Sequence, residues 1–252
     1  MRGEGKTRVS FFQPRPHSHF HQAGWEDVAY QLRSALPYAR FILPTAPTRP
    51  ISLNAGYAMP GWYDIHSLDS LQGREDGPGV AASAAYINGL LEKTMAEVGI
   101  APDRVVMAGF SQGGAMALAM LGKVPGKVRR ERERGVRGAR VTHGFVCSTF
   151  PPILSHLSQL AGVISMSGYL PMTTNPSAPP LTTPANAATP VLFCHGDADQ
   201  VVKYGFGVAS ADALKAAGVP VAFKTYGGMG HSACPAELSD VAAFLSERLP
   251  PV

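Results

Sequence analysis

Short apolar runs alternate along the chain with longer segments whose apolar residues recur at helical spacing. The runs are rich in β-branched and aromatic residues, which is typical of buried strands. They cover residues 8–12, 40–44, 104–108, 160–171, 191–194 and 221–226. Such an alternation is typical of a mostly parallel central sheet with helices on both faces, so the pattern predicts the α/β class.

The segments between these runs predict the helices. Apolar residues spaced three and four positions apart predict helices over residues 25–36, 79–98, 204–217 and 235–249. Pro37 ends the first of them and Gly99 ends the second. A further helix, rich in glycine and alanine, is predicted to follow residue 112 and to pack closely against its neighbours.

One long segment, residues 44–77, matches neither pattern and predicts a loop rich in Pro, Gly and Asn. It carries large apolar side chains, among them Met59 and Trp62. A loop of this length and aromatic content often has a function, and one wall of an apolar substrate groove fits it. A small cluster that only caps the core fits equally well.

Composition places the chain among globular proteins with one domain. It has 252 residues, of which 45% are hydrophobic and 16% charged. No apolar run approaches the length of about 18 residues that a membrane helix needs, and no signal-like core forms near the start, so we expect a cytoplasmic protein. Three cysteines without a CxxC spacing predict neither a disulfide framework nor a zinc site.

The net charge of +4 comes from one segment. Residues 123–140 hold eight basic and two acidic residues, a net charge of +6, which leaves −2 for the rest of the chain. The segment has no interleaved aromatics and no known binding motif, so we predict a solvated insertion and no nucleic-acid partner. His17, His19 and His21 lack acidic or cysteine neighbours, so a loop is favoured there over a metal site.

Candidate chemistry begins at residues 109–113, which read G-x-S-x-G between a predicted strand and a predicted helix. This is the nucleophile-elbow pattern, in which glycines allow a sharp turn that lifts the Ser111 hydroxyl above the sheet. The first N–H groups of the following helix lack intrahelical acceptors, so they can stabilise an oxyanion beside that hydroxyl.

Two further strand ends carry the groups that a serine nucleophile needs. A base must accept the hydroxyl proton, and an acid must orient that base. His231 lies on a glycine-rich loop after residues 221–226, and Asp197 and Asp199 both follow residues 191–194. The order Ser, acid, His is that of α/β-hydrolases. The spacing leaves both aspartates open as the acid, and His195 is predicted to be a structural turn residue.

Several motifs in the same order resemble the acyl-protein thioesterase/lysophospholipase family, also called the phospholipase/carboxylesterase family. They are GFSQGG at 109–114, PTAP at 44–47, MPGWYD at 59–64, CHGDAD at 194–199, and FKTY at 223–226 followed by His231 and Ser232. The resemblance covers about residues 25–122 and 160–252.

This resemblance implies an α/β-hydrolase that needs no cofactor or metal and cleaves long-chain acyl thioesters or esters. The substrates it implies are S-palmitoyl proteins and lysophospholipids, with transient contact at a membrane surface. It assigns the acid to Asp199 and an oxyanion N–H to Gln112. Beside that site, Met59 and Trp62 of the apolar loop, together with Leu170, are predicted to hold the acyl chain.

The chain departs from the family pattern in two places. Where the family has a glycine-rich loop that supplies the second oxyanion N–H, this chain has Pro14 and Pro16, which have no N–H to donate. A catalytically impaired relative that binds acyl groups is therefore one alternative, and a carboxylesterase of small esters is another. Residues 124–159 interrupt the pattern and predict a disordered insertion or a gene-model artefact, and residues 1–24 diverge as well.

Overall fold

Strands and helices alternate along the folded chain. The computed structural model describes residues 7–12, 22–70, 75–122, 159–171 and 181–251, and for 7–12 and 22–24 it describes the backbone alone. The strands are β1 Thr7–Phe12, β2 Ala39–Ile42, β3 Thr48–Ile51, β4 Tyr57–Pro60, β5 Val105–Phe110, β6 Gly162–Met166, β7 Val191–Gly196 and β8 Val221–Tyr226. The helices are α1 Gln22–Ala35, α2 Gly77–Val98, α3 Gln112–Ala119, α4 Tyr204–Ala216 and α5 Pro235–Arg248.

Six of the strands form the central sheet, in the order β2-β1-β5-β6-β7-β8. Every neighbouring pair in it is parallel, which confirms the predicted sheet. Because parallel strands end at one edge, the residues that follow β5, β7 and β8 lie along the same side of the molecule. The three segments of candidate chemistry follow these strands.

The sheet separates two hydrophobic clusters, and the side chains of β5, β6 and β7 alternate between them. Val105 and Met107 belong to the cluster that contains residues of α2, α3 and α4. Val106 and Ala108 belong to the cluster that contains residues of α1 and α5. Helices therefore cover both faces, as predicted. The runs that form β5, β6 and β7 read as continuously apolar because both faces of these three strands are buried.

Local signals set the limits of the longest helix, α2. The Asp76 carboxylate accepts a hydrogen bond from the Gly79 N–H at 2.9 Å and so caps the first turn. Gly99 ends the helix with a left-handed φ of 66°. Inside these limits Ile87 and Leu91 are buried against the sheet, which confirms the helix predicted over residues 79–98.

The prediction of a loop over residues 44–77 was wrong in part. The segment contains β3 and β4, which pair antiparallel from Thr48 opposite Pro60 to Ile51 opposite Tyr57. Prolines conceal this hairpin in the sequence. A two-stranded ribbon tolerates a proline at a position whose N–H, in any other residue, would face away from the partner strand. Trp62 and Tyr63 then enter the core, with 0% and 4% of their surface exposed.

Several sequence predictions fall on residues outside the described ranges. They are the histidines at 17, 19 and 21, the prolines at 14 and 16, the basic segment 123–140 and the insertion over 124–159 apart from Gln159. Within residues 1–24 the predicted strand is confirmed as β1.

An acidic side chain is buried in the first turn of α5, just after the His231 loop. Glu237 is 0% exposed. Burial raises the pKa of its carboxyl group from 4.5 to about 7, and the nearby Asp240 carboxylate acts in the same direction. The folded protein therefore binds a proton here more tightly than the unfolded chain does.

This raised pKa predicts a pH-dependent stability that Glu237→Gln should remove. The contribution of Glu237 is complete below the unfolded pKa of 4.5 and is lost as pH rises through about 7. The variant should therefore gain, relative to wild type, up to about 3 kcal/mol in unfolding free energy between those limits. Urea unfolding across this pH range measures it, with the exposed Glu26→Gln as control. A pH-independent difference for Glu237→Gln would contradict the assignment.

Candidate active site

Ser111 occupies a strained turn between β5 and α3. Its φ of 53° and ψ of −122° are rare for a residue with a side chain. The turn is held from both sides, because the Ser111 N–H donates to the Met166 carbonyl at 2.8 Å and the Ala115 N–H donates to the Ser111 carbonyl at 3.0 Å. The G-x-S-x-G pattern therefore forms the strand-turn-helix that it predicts.

A histidine and an aspartate from two other strand ends lie beside this serine. His231 Nε2 is 3.0 Å from Ser111 Oγ, and His231 Nδ1 is 2.7 Å from Asp199 Oδ2. The Asp199 side chain is fully buried, and that of His231 is 16% exposed. The three groups form a hydrogen-bonded row in which the imidazole can accept the serine proton and the carboxylate can stabilise its charge.

The structure distinguishes the two aspartates that the spacing left open, and it places Asp199, to which the resemblance assigns the acid, beside His231. Asp199 Oδ1 accepts hydrogen bonds from the N–H groups of Val201 and Val202, at 2.9 and 3.0 Å, which leaves Oδ2 for His231. Asp197 instead accepts from the Gly228 N–H at 2.7 Å, at the surface. Asp197 stabilises the loop that leads to His231, and Asp199 contacts the imidazole.

The sequence predicted His195 to be a turn residue, and this prediction was wrong. His195 lies within β7 and is 0% exposed. Its Nε2 is 2.8 Å from the Val202 carbonyl and 3.4 Å from Asp199 Oδ2. Burial lowers the pKa of its imidazole, so the ring is neutral near pH 7 and donates from Nε2 to the carbonyl. His195 thus packs behind Asp199 as a structural residue, a contact that strand spacing alone does not predict.

An aromatic contact beside His231 was also missed by the sequence analysis. The Phe110 ring lies with its centroid 4.7 Å from that of His231 and 4.9 Å from that of Trp25 at the start of α1. The packing of Phe110 against the imidazole restricts the orientation of the His231 ring. The only sequence signal for it is that Phe110 adjoins the serine.

Of the two N–H donors expected at the oxyanion site, only that of Gln112 lies within the described residues. Gln112 is the first residue of α3, so its N–H has no acceptor within the helix and lies next to Ser111. This position fits the role that the resemblance assigns to it. The segment that would supply a second donor, residues 13–21, lies outside the described residues.

The three predicted acyl-chain residues do not share a surface. Met59 is partly exposed. Trp62 and Leu170, by contrast, belong to the core and are 0% and 2% exposed. This burial does not match a groove wall for Trp62 or Leu170, because the hydrophobic core encloses their side chains. A nearby cavity is lined instead by Tyr63, Ile65, Leu68, Tyr169 and Phe206, among others.

A strained serine on a strand-to-helix turn, followed in chain order by an acid and a histidine at the ends of parallel strands, defines an α/β-hydrolase of the serine type. A sequence model of the phospholipase/carboxylesterase family matches residues 19–131 and 149–249. The chain belongs to this family of ester and thioester hydrolases. Residues 132–148, inside the predicted insertion, fall outside the match.

Similar proteins agree with this membership. Acyl-protein thioesterase 1 of Gibberella zeae is 38% identical over 234 residues, which cover 90% of this chain and 86% of that protein. Acyl-protein thioesterase 1 of Neurospora crassa is 39% identical over 235 residues, or 91% of this chain and 82% of its own. The crystal structure of Zea mays acyl-protein thioesterase 2 superposes with a TM-score of 0.70 at 28% identity, over 98% of this chain and 96% of its own.

Two kinds of structural feature are absent from the part of the chain that the structure describes. None of the helices in the described ranges combines the length and the apolar character that crossing a membrane requires. No group of three or more His, Cys, Asp or Glu side chains in that same part of the chain is arranged to hold a metal ion.

Gly109 and Gly89 provide a matched test of the elbow. A Cβ on Gly109 would lie 2.2 Å from the Gly113 carbonyl carbon and oxygen, whereas one on Gly89 of α2 would meet nothing within 4 Å. Gly109→Ala should lower the unfolding free energy by about 3 kcal/mol, since backbone must move. Gly89→Ala should raise it by about 0.5–1 kcal/mol. Denaturant unfolding measures both, and equal stability of the two variants would contradict the packing described.

Asp199→Asn and Asp197→Asn should differ sharply in hydrolysis of an ester. An amide at 199 cannot stabilise the imidazolium, so kcat should fall about 10⁴-fold. An amide at 197 still accepts from the Gly228 N–H, so kcat should stay within about threefold of wild type. Steady-state kinetics on p-nitrophenyl butyrate measures both. A large loss for Asp197→Asn, with Asp199→Asn near wild type, would reverse the two assignments.

Proposed function

We propose that this chain is a serine hydrolase that cleaves long-chain acyl thioesters or esters through an acyl-enzyme on Ser111. The observation that carries the proposal is the row Ser111–His231–Asp199, with contacts of 3.0 and 2.7 Å. Membership in the phospholipase/carboxylesterase family supports the ester and thioester chemistry.

In the first half-reaction, Ser111 Oγ attacks the acyl carbonyl and its proton passes to His231 Nε2. Asp199 stabilises the imidazolium, and the Gln112 N–H stabilises the tetrahedral oxyanion. The intermediate collapses as the bond to the thiol or alcohol breaks, and His231 gives its proton to that leaving group. The acyl group then remains as an ester on Ser111.

The second half-reaction repeats these steps with water. His231 Nε2 accepts a proton from a water molecule, whose oxygen attacks the acyl-enzyme carbonyl. The oxyanion forms in the same place, and its collapse returns the proton to Ser111 and releases the fatty acid. No cofactor enters either half-reaction.

The proposed substrates are S-acylated proteins and lysophospholipids, which a cytoplasmic enzyme would meet at a membrane surface. Two relatives that each match about nine-tenths of this chain bear the name acyl-protein thioesterase 1, which favours the protein thioester. The partly exposed Met59 remains the proposed contact for the acyl chain, whereas the core encloses Trp62 and Leu170.

A second candidate is a relative that binds acyl groups with little turnover. Pro14 and Pro16 favour it, because they have no N–H to donate where the family has glycines. Loss of one oxyanion donor costs about 3 kcal/mol, or a hundred- to a thousandfold in rate. A carboxylesterase of small esters is the alternative within enzymes.

A fluorophosphonate probe tests the proposal, because it labels a serine only when that serine is activated. We expect wild type to be labelled at Ser111 and His231→Ala to lose the label, with the site read by mass spectrometry. Folded wild type that stays unlabelled would favour the binding protein. A series of thioesters and p-nitrophenyl esters of increasing chain length then separates the enzymes, since a preference for acetyl over octanoyl groups would favour the small-ester carboxylesterase.

A further inference from the structure

The Gln112 side chain makes two contacts that the catalytic mechanism does not use. Its Oε1 accepts a hydrogen bond from the Trp62 N–H at 2.9 Å, and its Nε2 donates to the Tyr63 carbonyl at 2.8 Å. The side chain is buried, with 4% of the residue exposed. One planar amide therefore binds the backbone of two consecutive residues that lie about fifty positions away in the sequence.

These two contacts require a side chain of glutamine length that offers both an acceptor oxygen and a donor NH₂ group. The Trp62 N–H needs an acceptor and the Tyr63 carbonyl needs a donor, so a glutamine satisfies both, whereas a carboxylate satisfies only the first. Methionine has a similar length and volume but offers neither a comparable acceptor nor a donor.

Other contacts hold the far side of the same segment. The Trp62 carbonyl accepts a hydrogen bond from Ser83 Oγ of α2, and the Asp64 N–H donates to Asp76 Oδ2 at 2.9 Å. The Tyr63 hydroxyl donates to the Tyr169 hydroxyl at 2.7 Å, after β6. These contacts hold residues 62–64 in place, and the Gln112 side chain attaches the first turn of α3 to this segment.

We propose that the Gln112 side chain is a positioning group of the active site, which directs the residue's own N–H at the oxyanion. This inference rests on the proposed function. The first N–H groups of a helix make no intrahelical hydrogen bond, so contacts outside the helix set their direction. Ser111 before it and Ala115 after it are held by backbone hydrogen bonds, and the side-chain amide holds Gln112 itself.

Two variants of Gln112 keep the backbone N–H and change only the attachment. Gln112→Met removes both hydrogen bonds. Gln112→Glu keeps the shape, but its ionised form turns an oxygen toward the Tyr63 carbonyl, whereas its protonated form can donate an O–H to it. Burial raises the pKa of a carboxyl group, so the protonated form becomes populated as pH is lowered. Gln31→Glu makes the same chemical change at an exposed site on α1.

Kinetics on p-nitrophenyl acetate tests the catalytic consequence. For Gln112→Met we expect kcat to fall about ten- to a hundredfold with KM within about threefold, since a displacement of about 1 Å can cost a hundredfold. For Gln112→Glu, kcat divided by the wild-type value at the same pH should rise as pH is lowered. The same ratio for Gln112→Met and Gln31→Glu should stay constant. This comparison separates a restored hydrogen bond to the Tyr63 carbonyl from a general effect of pH on His231.

Hydrogen exchange at the Trp62 N–H tests the attachment without any turnover. We expect exchange to be faster in Gln112→Met than in wild type and unchanged in Gln31→Glu. Unchanged exchange, or a kcat of folded Gln112→Met within about threefold of wild type, would overturn the inference. Should Gln112→Met fold poorly, the pH-dependent ratio of Gln112→Glu decides in its place. Wild type that the fluorophosphonate does not label would overturn the proposed function by itself, and Trp62 exchange would still decide whether the attachment exists.

Discussion

The strained backbone at Ser111 is the constraint on which the rest of the site depends. A φ of 53° is unfavourable for serine, so the turn persists only where its surroundings determine it. Those surroundings are a buried central strand, a helix that begins at the next residue and a hydrogen bond from the Ser111 N–H to Met166 on the neighbouring strand. The close approach of Gly109 to Gly113 leaves no room for a side chain. The strain places the hydroxyl above the sheet, where groups from β7 and β8 can reach it.

The second requirement is a buried carboxylate that remains fully hydrogen-bonded. Asp199 meets it by accepting two backbone N–H groups on one oxygen and facing His231 with the other. An ion buried in this way is stabilised only where such donors are fixed. The neutral His195 ring packs against Asp199, and the Phe110 ring packs against His231. The strand ends bring these segments to one edge of the sheet, and hydrogen bonds within the loops that follow set the distances in the site.

Sequence reasoning succeeded where the signal was local. The C-terminal limit of α2 follows from Gly99, and β8 follows from a run rich in β-branched and aromatic residues. It failed where tertiary contacts override local preference. The prolines at 50 and 60 conceal β3 and β4. Trp62 lies in a segment rich in Pro, Gly and Asn, and no local pattern shows that its side chain is buried in the core. His195 was misplaced because a histidine in a fully buried strand contradicts its usual preference.

By itself, the sequence determined the order of the elements, the α/β class and the three residue types that a serine hydrolase needs, because periodicity and short motifs are properties of neighbouring residues. Only the tertiary structure decided how the Asp199 carboxylate is held against His231, which apolar residues are enclosed and where the Gln112 amide binds. Those outcomes depend on contacts between segments 32 to 120 positions apart. Such contacts are selected by packing and hydrogen-bond satisfaction across the whole domain, and no local stretch of the chain encodes them.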